Sequence, residues 1–517
     1  MNLDQVRMAE VGPKTILVVD DDKDLLTLVA FVLENEGYKV MTAADDARKR
    51  ASEVGAATVI DRLLSSRHGF RAALLLCGAG TLGYCLVALR VAPGADLPRH
   101  TGWFMVAFAC YLPAVALVLA AERRGRPWTG GDLVIIGGLA LLFRALLAAI
   151  PPSLSDDVLR YVWDGKLINA GVNPYLYAPA APELAQFRSP LWEGINSKSM
   201  STPYPPLAEA LFALVYRLAP ESLFGMQVMA VTFDLAVAAL LITMLDRWGL
   251  DRRRVLVYAW NPLVPLQFAH SAHFDAAMIL TLLGAIFLLS GGRRVASGAL
   301  LGLSVLVRLV PAVVGPIFLP LWGVVGTVAA GVVTVVGLLP WLVSGSAISG
   351  ILLEASDARF NDSLGYILPR LLGMVIPNSD SVARGLASLS VALASLGIAL
   401  YLWRRGGDWK KLLKACYWLL GLTLLLNAVV EPWYLTWMLP FLCFTLGSTR
   451  LGLPVPGPAL GWLLLSGTIV LTDLTYAANA PGSLWVWVRA AEYIPLYGLL
   501  FWQVITWAVS SRSRGGR

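Results

Sequence analysis

The chain has 517 residues, of which 57% are hydrophobic and 15% are charged, and its mean hydropathy is +0.67. Soluble domains of this size do not have this composition, whereas repeated apolar runs of about 20 residues are typical of transmembrane helices. The five cysteines lie in or beside apolar runs without CxxC spacing, and four histidines are too few for a histidine-rich metal site. We therefore expect a multi-pass membrane protein, with no disulfide, no metal site and no nucleic-acid partner.

The first 69 residues have a different character, with nine Lys/Arg and twelve Asp/Glu, a net charge of −3. Because the whole chain has a net charge of +7, the remaining residues have a net charge of +10. Residues 14–44 follow the pattern strand, acidic turn, amphipathic helix, glycine stop, strand. This pattern resembles the first βαβ portion of a response-regulator receiver domain, with Asp21 and Asp22 matching its acidic corner. The rest of a receiver does not follow. We divide the chain into a truncated receiver-like fragment (1–50), a juxtamembrane segment (51–69) and a transmembrane domain (70–511).

The first three predicted spans cover residues 70–89, 102–121 and 133–150. The loop after the second span reads Glu-Arg-Arg-Gly-Arg at residues 122–126. Arg and Lys in short loops mark the cytoplasmic side. This rule places the N-terminus inside and residues 151–206 outside, in a loop long enough to carry function.

The later segments follow the same charge rule. Residues 207–218 are too short to span, so we expect them to lie flat or re-entrant on the outer face. The remaining predicted spans cover residues 224–245, 255–267, 276–290, 295–307, 324–343, 382–403, 412–430, 434–446, 460–474 and 493–509. The expected fold is an all-α polytopic membrane protein of about 13–14 transmembrane helices, with both termini cytoplasmic and amphipathic helices in a large outer loop.

The outer loop opens with a conspicuous segment at residues 153–177. Two prolines end the preceding helix, and Asp156 and Asp157 then begin a new one, where the helix dipole favours carboxylates. At helical spacing Asp157, Arg160, Tyr161 and Asp164 share one face. The segment predicts a short amphipathic helix at the membrane edge, although a solvated helix whose acids have no role fits the same pattern.

Further polar residues are predicted on this outer face. Ionisable groups at membrane depth are costly, and their default interpretation is functional. Each also has a structural alternative: His273 and Asp275 can stabilise a helix end, Arg308 can extend to the interface, and Glu431 can begin a turn. The whole set comprises Asp156, Asp157, Asp164, His270, His273, Asp275, Arg308, Arg359, Asn361, Asp362, Arg370 and Glu431.

Six motifs in register now carry a family resemblance. They read SDDVLRYVWDGKLINAGVNPY, YPP, HFDA, VLVRLVP, FNDSLGYIL and EPWYLTWMLP. In order and spacing they resemble bacterial GT-C glycosyltransferases, especially the mannosyltransferase-like branch that uses polyprenyl-phosphate sugars. The resemblance implies inverting transfer of a hexose, with mannose expected, on the outer face of the plasma membrane. One departure is Glu431, where related sequences commonly have His.

Inverting transfer needs one base for the acceptor hydroxyl and a polar partner for the departing lipid phosphate. The resemblance and the shared helix face favour Asp157 as the base, with Asp156 as the alternative. Arg160, His273, Arg308 and Arg359 are candidates for the phosphate. The other expected substrate-binding residues are Tyr161, Asp164, His270, Asp275, Asn361 and Glu431.

The expected partners are a polyprenyl-phosphate sugar donor, a lipid or glycan acceptor, and membrane lipids. We expect no cofactor besides the lipid-linked donor, with a divalent metal left open. The alternative function is that of a multi-pass transporter or lipid flippase, which intramembrane charges and proline-broken helices also suit.

Overall fold

The computed structural model describes residues 66–343, 364–375, 379–449, 453–476 and 482–514. It also describes residues 7–10, 15–19, 27, 32–34, 39–43, 64 and 360–361.

The N-terminal fragment forms a small sheet. Its strands are β1 (Arg7–Glu10), β2 (Thr15–Val19) and β3 (Lys39–Ala43), in the order β1-β2-β3. The two predicted strands, β2 and β3, pair in parallel, as a βαβ unit requires, and β1 adds an antiparallel edge that we did not predict. Asp21 and Asp22 lie outside the described residues, and the domain boundaries stay predictions.

From residue 67 onward, the described chain is mainly helical. The longer helices are α1 (Arg67–Arg90), α2 (Leu97–Arg123), α3 (Gly130–Ala148), α4 (Asp157–Asn169), α5 (Pro206–Leu218), α6 (Leu223–Arg247), α7 (Asp275–Ser290), α8 (Arg294–Val307), α9 (Gly315–Val343), α10 (Leu364–Gly373), α11 (Ser379–Arg405), α12 (Trp409–Leu426), α13 (Leu439–Thr445), α14 (Pro458–Thr468) and α15 (Gly482–Arg514). Shorter helical turns cover Pro93–Ala95, Pro182–Phe187, Pro190–Glu193, Arg252–Val255, Leu256–Ala259, Leu263–Pro265, Leu266–His270, Val310–Val314, Pro432–Trp437 and Ile469–Tyr476.

Seven helices in the described ranges are long and apolar enough to cross a membrane. They are α1, α2, α3, α6, α11 and the stretches Val310–Leu339 and Pro458–Tyr476, and a bent pair that ends in α7 would be an eighth. This confirms the expected multi-pass helical membrane protein. Because α8, α12, α13 and α15 occupy the other predicted spans without meeting the same length and hydropathy criteria, the total of 13–14 crossings stays a prediction.

One predicted span is not a regular helix. We expected a span over residues 255–267, but the chain forms separate turns there, and Leu263–His270 lies at 119° to α7. Pro262 and Pro265 lack the N–H groups that a continuous helix needs. Where the segment ends, Gln227 on α6 donates its amide to the carbonyl oxygens of Ile150, Ala269 and His270 at 2.8, 2.8 and 3.1 Å. Irregular backbone at this depth is tolerated because residues 253–279 are all buried in the protein.

Helices α7 and α8 form a hairpin closed at both ends. The turn at residues 291–293 joins one end, and an ion pair joins the other, where Arg308 Nε lies 2.8 Å from Asp275 Oδ1. Between them the hydroxyls of Ser297 and Ser304 donate to the backbone carbonyls of Ala285 and Met278 at 2.7 and 2.9 Å. The hairpin is therefore held in a single register along its length.

A second ion pair fastens the centre of the bundle. Arg144 on α3 contacts Asp234 on α6, and both side chains are fully buried. Tyr258 donates to the same carboxylate at 2.8 Å, and Arg144 also donates to the carbonyl of Ala259 at 2.9 Å. A buried charge pair is tolerated when its remaining hydrogen-bonding capacity is satisfied in this way. These contacts fix the broken segment between α3 and α6.

The two ends of α6 define opposite edges of the bundle. With 25 residues, α6 is about 37 Å long, roughly the thickness of a bilayer. Beyond its C-terminal end lies a network in which Arg254 Nε donates to Glu122 at 2.7 Å and Arg126 donates to Asp132 at 3.0 Å. We call this end the arginine-rich edge. The charge rule predicts that it faces the cytoplasm.

The outer loop between α3 and α6 should therefore be accessible from outside the cell. In a variant whose five native cysteines are replaced, a cysteine at the exposed position Gln186 should react with a membrane-impermeant maleimide in intact cells. A cysteine at Arg405, also exposed, should react only after permeabilisation. The reverse labelling pattern would show that the topology is inverted relative to this prediction.

Candidate active site

A cavity of about 580 Å³ lies at the end of α6 opposite the arginine-rich edge. Its walls come from the chain before α4, the N-terminus of α6, the broken segment before α7, and the turns Pro432–Trp437 and Ile469–Tyr476. The polar side chains among its lining residues include Asp156, Asp157, Asn196, His273, Glu431 and Asp473. The cavity therefore collects residues that are far apart in sequence.

The two adjacent aspartates lie at the N-terminus of α4. Asp157 is the first helical residue, and its N–H donates to the hydroxyl of Ser155 at 3.3 Å. Asn196 donates to both carboxylates, at 2.6 Å to Asp156 Oδ1 and 3.1 Å to Asp157 Oδ1. Asp156 is exposed, whereas Asp157 is half-buried. The amide thus orients two carboxylates whose surroundings differ.

His273 reaches the cavity from the broken segment. Its ring stacks on Trp433 with centroids 3.9 Å apart, and Nδ1 lies 3.4 Å from the hydroxyl of Tyr161 on α4. The ring is fully buried, and Nε2 has no hydrogen-bond partner among the described residues. A buried unpaired nitrogen is costly, so a ligand atom is the natural partner for His273 Nε2.

Arg308 lies next to this histidine without lining the cavity. Its guanidinium contacts Asp275, and it also packs against the rings of Phe274 and Tyr434, 5.0 and 5.3 Å from their centroids. Trp437 donates to Asp275 Oδ1 at 2.8 Å. Asp275 is fully buried, but the side chain of Arg308 keeps 19% of its surface exposed. The Arg308 side chain therefore pairs with Asp275 and also keeps part of its surface accessible to a ligand.

Three of the remaining predicted residues support the outer loop. Arg160 and Asp164 pair along α4 at 3.0 Å, and Arg160 also donates to the carbonyl of Met200 at 3.1 Å. Tyr161 stacks on Phe212 of α5 at 4.5 Å, and Gly165 allows this approach, because a Cβ there would lie 2.5 Å from the Phe212 carbonyl oxygen. Neither Arg160 nor Asp164 lines the cavity. Their role as substrate ligands stays a prediction.

Other predicted residues lie near the cavity rather than in its wall. His270 Nε2 is 3.1 Å from the Ser153 hydroxyl. Asn361 is buried and donates to Glu492 at 2.7 Å, and the preceding residue, Phe360, pairs with the backbone beside Glu431. Arg359 and Asp362 lie outside the described residues. Arg370 is exposed on α10 and does not line the cavity.

Sequence analysis missed several lining residues, namely Asn196, Trp433, Asp473 and Tyr476. Asp473 lies 3.3 Å from Nε2 of His100, whose Nδ1 is 3.1 Å from the Tyr84 hydroxyl. An aspartate inside an otherwise apolar predicted span was a usable signal. Asn196 gave none, because an asparagine in a long loop is common.

The lining is acidic in the part of the chain that the structure describes. It contains four carboxylates and neither Lys nor Arg, with Arg308 adjacent to it. No three His, Cys, Asp or Glu side chains in the described ranges could jointly hold a metal ion. The expectations about metal and cofactor stay predictions. The arrangement suits an uncharged, hydroxyl-rich ligand in the cavity and an anionic group at Arg308.

Comparisons with known proteins identify the family. A family model described as alpha-(1->6)-mannopyranosyltransferase, N-terminal domain, of the MptA_B family, matches residues 66–339, more than half of the 517 residues. The chain belongs to this family and is a glycosyltransferase. This confirms the resemblance to glycosyltransferases that the sequence motifs indicated. It leaves the alternative function of a transporter without support. No protein of curated function matches. Among solved structures the chain is similar to ArnT from Cupriavidus metallidurans bound to undecaprenyl phosphate, with a TM-score of 0.41 and 16% identity over 72% of each chain.

The carboxyl of Glu209 on α5 makes the outer loop sensitive to pH. Thr202 donates to it at 2.7 Å, burial raises its pKa well above the usual range, and the carboxylate of Asp164 raises it further. When folding raises the pKa of a carboxyl, the group contributes to the stability of the folded state. This contribution is fully present at pH values below the unfolded-state pKa of about 4.3, and it is lost as the pH rises through the folded-state pKa.

We therefore expect the apparent melting temperature of the purified protein to fall between pH 5 and pH 9. Glu209→Gln keeps the acceptor for Thr202 without the charge, so it should melt about 2 °C or more above the wild type at pH 9. Glu183→Gln, at an exposed loop position, should change nothing. A Glu209→Gln protein less stable than the wild type at pH 9 would disprove this assignment.

Proposed function

We propose that this enzyme transfers a hexose, with mannose expected, from a polyprenyl-phosphate donor to a lipid or glycan acceptor on the outer face of the membrane, inverting the anomeric carbon. The observation that carries the proposal is that Asp157 and His273 line one cavity, with the Arg308–Asp275 pair next to His273. These groups come from the N-terminus of α4, the broken segment and the end of α8.

Asp157 is the proposed base. In an inverting transfer, the base removes the proton of the acceptor hydroxyl as its oxygen attacks the anomeric carbon and the bond to the lipid phosphate breaks. Asp157 is half-buried and held by Asn196, whereas Asp156 beside it is exposed. Because its carboxylate is half-buried in the cavity wall, Asp157 is more restricted in orientation than the exposed Asp156, as a positioned base requires.

Arg308 and His273 are proposed to receive the leaving phosphate. The lipid phosphate gains charge as the glycosidic bond breaks, and fixed cations and N–H donors stabilise that charge. The Arg308 side chain keeps 19% of its surface exposed, and in its N–H tautomer His273 Nε2 can donate to a phosphate oxygen.

A separate apolar cavity has a wall that begins close to Arg308 in the chain. It has a volume of about 560 Å³ and lies among residues 312–316, the middle of α11 and the end of α12. Its wall begins four residues after Arg308 and includes Ala312, Val313 and Val391. A prenyl chain whose phosphate contacts Arg308 would find apolar contacts there, because burial of hydrocarbon is favourable by about 0.8 kcal/mol per CH₂.

Transfer from the donor tests the function itself. Purified protein should move radiolabel from a polyprenyl-phosphate mannose into a new membrane-extractable product and should not use guanosine-diphosphate mannose. Transfer from the nucleotide sugar alone would overturn the proposed donor class.

The base assignment is tested by exchanging each aspartate for asparagine. Asp157→Asn keeps the shape of the side chain without its basicity, so turnover should fall by about 10²–10⁴-fold with the apparent donor KM little changed. Asp156→Asn is the matched control, because it shares the contact with Asn196, and it should retain much more activity. The opposite result would reverse the two roles.

The role of Arg308 needs a control for stability, because Arg308→Ala leaves the buried carboxylate of Asp275 unpaired. The double variant Asp275→Asn, Arg308→Gln removes both charges together and should fold. If Arg308 binds the donor phosphate, this variant should lose donor use by about tenfold or more, the scale of a hydrogen bond to a charged group. A normal donor KM and turnover would leave Arg308 a purely structural partner.

A further inference from the structure

A second cavity lies at the other end of α6. It has a volume of about 550 Å³, and its lining includes Trp248, which directly follows α6, and Phe444 on α13. Arg254 donates to the carbonyl oxygens of Cys443 and Leu446 on either side of this phenylalanine, at 2.9 and 3.0 Å. The cavity therefore belongs to the arginine-rich edge, about 37 Å along α6 from the candidate active site.

Aromatic rings form one wall of this cavity. Trp248 stacks on Trp409 with centroids 3.8 Å apart and 17° between the planes, and it also contacts Phe444 at 5.2 Å. Tryptophan is typical of the interface between lipid headgroups and acyl chains. The wall thus offers an apolar surface at headgroup depth.

Two lysines on the first turns of α12 also line this cavity. Lys410 and Lys414 are exposed, and neither makes an ion pair among the described residues. The N-terminus of α12 is capped by Asp408, whose carboxylate accepts from the backbone N–H of Lys411 at 2.8 Å. An anion bound in the cavity would therefore be stabilised by the two lysine ammonium groups rather than by the helix end.

Two buried donors in the same lining also lack partners. The hydroxyl of Tyr417 and Nε1 of Trp248 are buried and have no hydrogen-bond partner among the described residues. The side chain of Tyr417 is 3% exposed, so bulk water does not reach it freely. Unsatisfied buried donors indicate that oxygen acceptors complete this site.

We infer that this cavity binds the headgroup of an anionic phospholipid from the leaflet at the arginine-rich edge. The lysines would contact the phosphate, the two orphan donors would contact its oxygens or those of the glycerol, and the tryptophans would pack against the upper acyl chain. A lipid fits better than a soluble anion, because the cavity lies between the ends of membrane helices and has an aromatic wall. The inference depends on membrane embedding and not on the proposed donor.

Native mass spectrometry of the detergent-purified full chain, titrated with phosphatidylglycerol or with phosphatidylcholine of the same acyl chains, tests this site. The wild type should prefer phosphatidylglycerol. Each lysine near a lipid surface contributes about fivefold in affinity, so Lys410→Gln with Lys414→Gln should weaken phosphatidylglycerol binding about thirtyfold. Tyr417→Phe, which removes only the buried hydroxyl, should weaken it about two- to tenfold.

Lys411→Gln is the matched control. Lys411 belongs to the same helical turn, but its ammonium donates to the carbonyl of Gly406 at 2.8 Å and it does not line the cavity. An equal loss in Lys411→Gln, or no loss in Tyr417→Phe, would show general attraction to a basic surface and overturn the site. Competition by millimolar inorganic phosphate would point to a soluble anion and also overturn the lipid assignment.

Discussion

The ion pair between Asp275 and Arg308 is the contact on which the candidate active site depends. It closes the open end of the α7–α8 hairpin, and through Trp437 it also fixes the turn that carries Glu431 and Trp433. Asp275 begins α7, where the helix dipole favours its charge, and it is fully buried. Removing one partner of such a pair typically costs about 3–5 kcal/mol. The same pair leaves the Arg308 side chain partly exposed beside His273, where the proposed phosphate contact needs it.

The broken segment before α7 gives the site its shape. A regular helix over residues 255–267 would have left His270 and His273 in the loop beyond its outer end. Prolines interrupt it instead, and Gln227 donates to the carbonyls of Ala269 and His270 where the segment ends. The chain then turns back within the protein and places His273 against Trp433. Non-helical backbone at membrane depth survives only where protein or a water-filled cavity surrounds it. The cost of this irregularity is consistent with a functional site.

Much of the architecture was predictable, because long apolar runs and basic loop ends are local signals. The convergence of Asp157, His273 and Arg308 was also predictable, since a topology derived from loop charges placed them on one side. Pro262 is a local signal for the break, but the apolar run around it predicts a continuous span. Asn196 could not be identified as a site residue from the sequence. It lies 40 residues from Asp156 and 39 residues from Asp157, and the chain must fold to bring them into contact. Long-range contacts of this kind depend on packing that no local pattern encodes.

The most direct measurement of the central claim is a structure of the full-length protein in lipid nanodiscs with a non-transferable polyprenyl-phosphonate mannose. Our account predicts the phosphonate oxygens within hydrogen-bonding distance of Arg308 or His273. The sugar should occupy the cavity near Asp157, and the prenyl chain should lie along residues 312–316. A donor bound at the arginine-rich edge, with the cavity beside Asp157 empty, would contradict it.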